Sequence, residues 1–79
     1  MEHKLKIQQQ YFEPVIQGKK RFEIRKNDRN FQVGDIVILE EIDDIGKYTG
    51  DSFRAKITFI TDYEQKENYV VFGISQELV

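Results

Sequence analysis

Hydrophobic and polar residues alternate along three short segments of the chain, at residues 3–7, 21–26 and 53–59. A period of two is typical of strands with one buried side and one solvent-facing side. Residues 36–42 form a run rich in β-branched side chains, and residues 69–74 complete the pattern with another apolar run. The pattern therefore predicts five β-strands, with the third in the centre of the sheet.

One helix is predicted between the first two strands, over residues 9–17. Apolar side chains recur within it at helical spacing, at Tyr11, Phe12, Val15 and Ile16. Gly18 follows where a left-handed residue commonly ends a helix. Pro14 is tolerated best in a first turn, so a later start near Phe12 is the alternative. Polar and turn-forming residues predict loops at 27–32, 43–51 and 62–68.

The order β-α-β-β-β-β contains no repeated strand-helix-strand crossover, so it favours a mostly antiparallel sheet. We predict one α+β domain over residues 1–79, a small five-stranded, partly closed β-barrel with one short helix. An open sheet with the helix laid across it is the alternative. The apolar strand faces predict a core of Leu5, Ile7, Phe22, Ile24, Ile36, Ile38, Ile57, Phe59 and Val71.

Composition narrows the possible chemistry. The chain of 79 residues suffices for one hydrophobic core, and it has no Cys and one His. These counts exclude disulfides, thiolate nucleophiles and the usual zinc sites, so we predict no metal and no cofactor. The longest apolar run covers residues 36–39, which indicates neither a membrane span nor a secretory signal. We therefore expect a cytoplasmic protein and favour a monomer.

Positive charge is concentrated in one segment, although the net charge of the whole chain is −2. Residues 18–29 contain six basic and two acidic residues, a local net charge of +4, and the rest of the chain has a net charge of −6. The overall balance argues against a protein that binds nucleic acid with its whole surface. A solvated charged strand is the simplest interpretation of the segment, and a local anion site is the alternative.

The spacing of Glu23 and Arg25 puts both side chains on one face of the second strand, where the carboxylate can orient the guanidinium toward a ligand. Lys20 joins them only if the chain is still turning after Gly18. Without a ligand, the same residues would form a surface ion-pair ladder worth about 0–1 kcal/mol.

Gly18, Lys20, Glu23 and Arg25 spell the pattern GxKxxExR, in which this chain resembles ASCH (activating signal cointegrator homology) domains, a branch of the PUA-like β-barrels. The resemblance extends to residues 31–35, 48–50 and 69–71, and the short bacterial and phage members are most similar. It implies a cleft between the helix and the second strand that receives RNA or a nucleotide. Carried over to this sequence, Lys20, Glu23 and Arg25 would line that cleft. Arg25, Lys26 and Arg29 fit phosphate contacts, so the predicted ligand-binding residues are Lys20, Glu23, Arg25, Lys26, Arg29 and Tyr48.

Other functions stay open at this point. Some short ASCH-like proteins resemble amidohydrolases that act on acylated cytidine such as N4-acetylcytidine, and others have been linked to RNA cleavage. Lys20 and Glu23 are the candidate catalytic residues, but Glu23 stands where the hydrolase pattern has Thr. Aromatic stacking surfaces for RNA could come from Tyr11, Tyr48, Tyr63 and Tyr69. A protein-interaction module that uses the acidic region 40–51 is the second alternative.

Overall fold

Five strands and one helix form from the segments whose patterns predict them, in a computed structural model that describes residues 1–77. The elements are β1 (Glu2–Gln8), α1 (Gln9–Ile16), β2 (Phe22–Lys26), β3 (Ile36–Ile42), β4 (Tyr48–Thr61) and β5 (Tyr69–Gln76). No helix within the described residues is long and apolar enough to cross a membrane.

Strand β4 is the largest departure from the predicted elements. It begins at Tyr48, so the predicted loop over residues 43–51 is a loop only as far as Lys47. Asp43 closes this turn, because its Oδ1 accepts hydrogen bonds from the backbone N–H groups of Ile45 and Lys47. The polar residues that follow pair with the end of β3, which composition alone did not indicate.

The strands form one sheet in the order β1-β3-β4-β5-β2, with β4 rather than β3 at the centre. The β1–β3 pair is parallel, and the other three pairs are antiparallel. The sheet curls into a half-barrel, and α1 packs against β1 and β3. The prediction of an α+β fold with a mostly antiparallel, partly closed barrel is confirmed. Because the curl is incomplete, the edge strands β1 and β2 meet at an open seam.

The helix begins at Gln9, so the alternative start near Phe12 is wrong, and Pro14 lies in the second turn. Just beyond the end of the helix, the backbone N–H groups of Lys19 and Lys20 both donate to the carbonyl of Pro14. Gly18 adopts a left-handed conformation with φ of 74°, which a residue with a Cβ atom adopts at a cost. The chain is therefore still turning at Lys20, shortly before β2 begins at Phe22.

The hydrophobic core lies on the concave face of the half-barrel. Leu5, Ile7 and Ile57 are buried there as predicted. The remaining predicted core residues were assigned to the wrong face, because they point outward or are only half-buried: Phe22, Ile24, Ile36, Ile38, Phe59 and Val71. Their neighbours along the strands fill the core instead, including Val37, Leu39, Val70, Phe72 and Ile74. In β3 and β5 both faces carry apolar residues, so alternation could not specify which face is inside. In β2 the charged face turns inward, and in β4 a register shift lies between the buried Ile57 and the exposed Phe59.

A buried polar pair joins the starts of β1 and β3. His3 Nε2 lies 2.8 Å from Asp35 Oδ2, which also accepts a hydrogen bond from the backbone N–H of Gln32. The His3 ring packs edge-on against Phe31, with 4.9 Å between the ring centroids. The hydrogen bond from His3 is the main reason why the pKa of Asp35 lies below its ordinary value, although burial opposes this shift. His3 is therefore a structural residue of the core.

Candidate ligand-binding cleft at the barrel seam

A cleft of about 480 Å³ opens at the seam between β1, α1 and β2. Its volume falls in the range of about 300–1,000 Å³ that is usual for small-molecule sites. The lining residues are Lys6, Ile7, Gln8, Tyr11, Lys20, Phe22, Glu23, Ile24 and Arg25. Three of the predicted site residues, Lys20, Glu23 and Arg25, therefore converge on one cleft.

Glu23 is the acidic centre of this cleft. Its side chain is 5% exposed, and its two carboxylate oxygens accept hydrogen bonds from different cations. Lys20 Nζ donates to Oε1, and Arg25 Nε donates to Oε2 over 2.8 Å. A carboxylate buried this deeply needs such partners, because an unpaired charge away from water is costly. The charged face of β2 thus turns toward the interior, and Phe22 and Ile24 turn outward.

Lys20 reaches the cleft from the turn after Gly18, which meets the condition that the sequence set for it. Its ammonium also donates to the backbone carbonyl of Phe22 over 2.7 Å. The side chain is 17% exposed and lines the cleft, so its ammonium can be reached by a ligand there. The glycine turn, and not the strand, is what brings this lysine to Glu23.

Arg25 and Arg29 bridge the seam with their side chains. Arg25 Nη2 donates to the backbone carbonyl of Lys6, and Arg29 Nη1 donates to that of Lys4, each over 2.8 Å. Strand β1 has β3 on one side only, so alternate carbonyls, including those of Lys4 and Lys6, point to its open side. Two guanidinium groups therefore take the place of a strand-to-strand ladder between β1 and β2. Arg25 serves both the cleft and the seam.

Aromatic and aliphatic side chains form the walls of the cleft. The rings of Tyr11 and Phe22 lie beside the Lys20 ammonium, which is 5.8 Å and 4.9 Å from their centroids. Ile24 extends the apolar wall along β2. The sequence predicts Tyr11 as a stacking surface, but it wrongly places Phe22 and Ile24 in the core. Lys6, Ile7 and Gln8 were missed, since the contact between β1 and β2 depends on the curl of the sheet.

A smaller cavity of about 180 Å³ lies beside the cleft and shares Arg25 with it. Its lining residues are Leu5, Arg25, Lys26, Asp28, Arg29 and Phe31. Lys26 and Arg29, the other two predicted basic site residues, are therefore in this cavity and not in the main cleft. Three bases and one acid give this cavity a positive balance, which suits an anionic group.

Tyr48 lies outside both cavities, at the start of β4. Its exposed ring contacts the ammonium of Lys6, which is 5.6 Å from the ring centroid. Two threonines that could be considered for the hydroxyl of the hydrolase pattern also lie elsewhere: Thr49 donates to Glu41, and Thr58 lies beside Gly73. Within the described residues, no Ser or Thr lines the cleft.

Comparisons with known proteins relate the chain to a family, a phage protein and a solved structure. A family model described as a domain of unknown function, DUF3850, matches residues 2–74. An uncharacterized 12.9 kDa protein in the GpA 3′ region of Escherichia phage P2 is 44% identical over 70 residues. The match covers 87% of this chain and 63% of that protein, so the chain spans less than two thirds of its relative.

The crystal structure of hypothetical protein PH0355 is similar in fold, with a TM-score of 0.69 and 18% sequence identity. The superposition covers 98% of this chain and 100% of that chain. At this level of identity the likeness concerns the fold alone. The half-barrel with one helix is thus an arrangement that a second sequence also adopts.

Proposed function

This chain belongs to the DUF3850 family, and we propose that it binds a nucleotide, or one nucleotide unit of unpaired RNA, in the seam cleft. One observation carries the proposal: Lys20, Glu23 and Arg25 meet in a cleft with aromatic and aliphatic walls. The resemblance to ASCH domains, whose corresponding cleft is thought to receive RNA, supports the same function. We propose a cytoplasmic location for this binding.

The free hydrogen-bond donors of the cleft favour a ligand rich in acceptors. An ammonium has three N–H donors and a guanidinium has five. Lys20 uses two of its donors within the protein and Arg25 uses two, so one and three donors remain. Two cations and one carboxylate leave the cluster with a net charge of +1. Base carbonyls and phosphate oxygens complement both the donors and the charge.

The walls of the cleft favour a planar ring over a flexible chain. Tyr11 and Phe22 both line the cleft and are 47% and 44% exposed, so each ring has surface that a base can contact. Stacking of a base on an aromatic ring contributes about 1–3 kcal/mol and depends little on the identity of the base. We therefore propose that the base stacks at these rings and that its polar edge faces Lys20 and Arg25.

The neighbouring basic cavity suits the phosphate of the same ligand. Lys26 and Arg29 line it, and Arg25 belongs to both cavities. A base in the larger cleft and a phosphate in the smaller one would be adjacent, as they are in a nucleotide. This division of roles matches the position of Arg25, which lines both cavities, and of Lys26 and Arg29, which line only the smaller one.

Amidohydrolysis of an acylated cytidine is the alternative, and the residues that line the cleft favour binding over it. The hydrolase pattern uses a Thr near its Lys, whereas Glu23 stands there in this chain and no Ser or Thr is among the lining residues. Incubation with N4-acetylcytidine tests the alternative directly. Release of cytidine that is lost in Lys20→Ala would establish catalysis in place of simple binding.

The binding test compares two adjacent lysines in titrations with nucleoside monophosphates, followed by NMR or calorimetry. We expect Lys20→Ala to weaken binding by about 10-fold or more, which corresponds to one charge-assisted hydrogen bond. Lys19→Ala is the matched control, since Lys19 is exposed and lies outside the cleft. Thermal melts of both variants verify that they fold.

Two outcomes would contradict the proposal. One is that none of the four common ribonucleoside monophosphates binds to the folded protein. The other is that Lys19→Ala and Lys20→Ala weaken binding equally, which would indicate general attraction to positive charge.

A further inference from the structure

Exposed aromatic rings continue from the cleft onto the convex face of the sheet. Phe22 and Phe59 are 44% and 66% exposed, although both are strand residues with large apolar side chains. Phe22 pairs with Gly73 from one side and Phe59 pairs with Gly73 from the other. Paired residues point to the same face of a sheet, so both rings stand on the convex face with Gly73 between them.

Gly73 has no side chain, and the Thr58 hydroxyl group lies in the space between the two rings that a side chain there would take. Two strand spacings separate the backbones of β2 and β4, which is about 10 Å. A Cβ atom at Gly73 would lie only 2.9 Å from Thr58 Oγ1, so a larger residue here requires Thr58 to move. The result is a shallow slot with an exposed ring on each side and the Thr58 hydroxyl group on its floor. A planar aromatic group can stack on either ring.

The charges on this face favour an anionic partner. At the outward positions of β2, β5 and residues 56–61 of β4, the charged side chains are Lys26 and Lys56. The acidic loop 62–68 joins the face at Tyr69, four residues along β5 from Gly73. An anionic chain would therefore cross the sheet along the row from Phe22 to Phe59 and keep away from that loop.

A second copy of this chain fits the face less well. In a twofold dimer the same patch meets itself, so Lys26 and Lys56 of both copies would enter one interface. The outward positions of β2, β5 and residues 56–61 of β4 carry no acidic residue to pair with them. Phe22 also lines the seam cleft, so any molecule bound there is already at one side of the slot. Continuity and charge both point to the ligand of the cleft.

We propose that the convex row formed by Phe22, Gly73 and Phe59 is a second base-stacking site, through which single-stranded RNA continues from the cleft across β5 to β4. This inference rests on the proposed function of the cleft and extends it from one nucleotide to a short strand. A base stacks on the exposed ring of Phe59, and Lys56 on the same strand is next to the path of the RNA backbone. Because of this site, the protein binds short oligonucleotides more tightly than mononucleotides.

The test measures affinities for uridine monophosphate and for a uridine tetranucleotide at one salt concentration. The wild type binds the tetranucleotide more tightly. Phe59→Ala lowers the affinity for the tetranucleotide by about 5- to 100-fold, the usual effect of removing one stacking ring, and leaves the affinity for the mononucleotide unchanged. Phe59→Leu shows the same loss, because it keeps apolar surface but no ring, whereas Phe59→Tyr retains binding.

Tyr63→Ala is the matched control, since its ring is 75% exposed but lies in the acidic loop. It leaves both affinities unchanged. Lys20→Ala lowers both affinities. Loss of binding in the cleft therefore affects the mononucleotide and the tetranucleotide, whereas loss of the convex site affects only the tetranucleotide. The inference is overturned if the mononucleotide binds and Phe59→Ala binds the tetranucleotide as the wild type does. It is also overturned if the wild type sediments as a dimer that Phe59→Lys converts to a monomer.

Discussion

Replacing Glu23 with Gln removes the charge that holds the cleft together and keeps the shape of the side chain. The carboxylate accepts one hydrogen bond from Lys20 and one from Arg25. Hydrogen bonds to charged groups contribute about 1.5–3 kcal/mol each. An amide keeps one acceptor oxygen but turns an N–H₂ group toward the second cation. Glu23→Gln should therefore cost most of one such bond and weaken the other.

Partial exposure of the two cations reduces this cost. The side chains of Lys20 and Arg25 are 17% and 24% exposed, so both recover some hydration in the variant. We expect the free energy of unfolding to fall by about 2–3 kcal/mol, toward the lower end for a broken buried pair. For a domain of this size, the total free energy of unfolding is roughly 4–12 kcal/mol. The loss should lower the Tm by roughly 10–20 °C.

Urea denaturation followed by circular dichroism measures this change. Glu13→Gln is the control, since Glu13 is exposed on α1 and bonds only to Gln17 among the described residues, so its replacement should cost less than about 0.5 kcal/mol. A double-mutant cycle with Lys20→Met isolates the coupling between Lys20 and Glu23. Equal effects of Glu23→Gln and Glu13→Gln would refute the reasoning, because the cluster would then behave as a solvated surface ladder.

Three further predictions follow from the seam, the core and the basic cavity. Arg29→Ala removes the bond to the Lys4 carbonyl and should lower the free energy of unfolding by about 0.5–1.5 kcal/mol in urea titrations; an unchanged midpoint would mean that the seam holds without it. The hydrogen bond from His3 keeps the pKa of Asp35 below 3.8 in the folded state, so its stabilisation is complete above that value and is lost as pH falls through the lowered pKa. Denaturation between pH 6 and 2 should show this loss in the wild type but not in Asp35→Asn. Lys26→Ala should lower the salt dependence of single-stranded RNA binding by about 0.7 in log–log slope, and an unaltered slope would remove Lys26 from the phosphate contacts.

The sequence predicted the elements well and their faces poorly. Alternation of Lys4 and Lys6 with apolar neighbours identified the inner face of β1, because only one face of that strand is apolar. The first four residues of β3 are all apolar, and Val37 and Leu39 rather than their neighbours are buried in the core. Burial depends on the direction in which the sheet curls, which is a property of all five strands together.

For the cleft, the sequence determined which residues could act together. The spacing of Gly18, Lys20, Glu23 and Arg25 follows from the left-handed turn and the two-residue period of β2, and both are local. Local spacing also left open whether Glu23 faces water or the interior. A charged residue is ordinarily exposed, and only two cations at hydrogen-bond distance make its burial favourable.

The tertiary structure alone decided what surrounds this cluster. Strand β1 reaches β2 because the sheet order sends both to the edges and the curl brings the edges together. Lys6 and Arg25 are 19 residues apart and meet only across that seam, as Lys4 and Arg29 do over 25 residues. The same topology sets Gly73 between Phe22 and Phe59, which are distant in sequence. The sequence thus determined the strands, the turn and the charged motif, whose interactions are local. Cleft, seam and convex slot depend on contacts between distant segments, which only the folded sheet specifies.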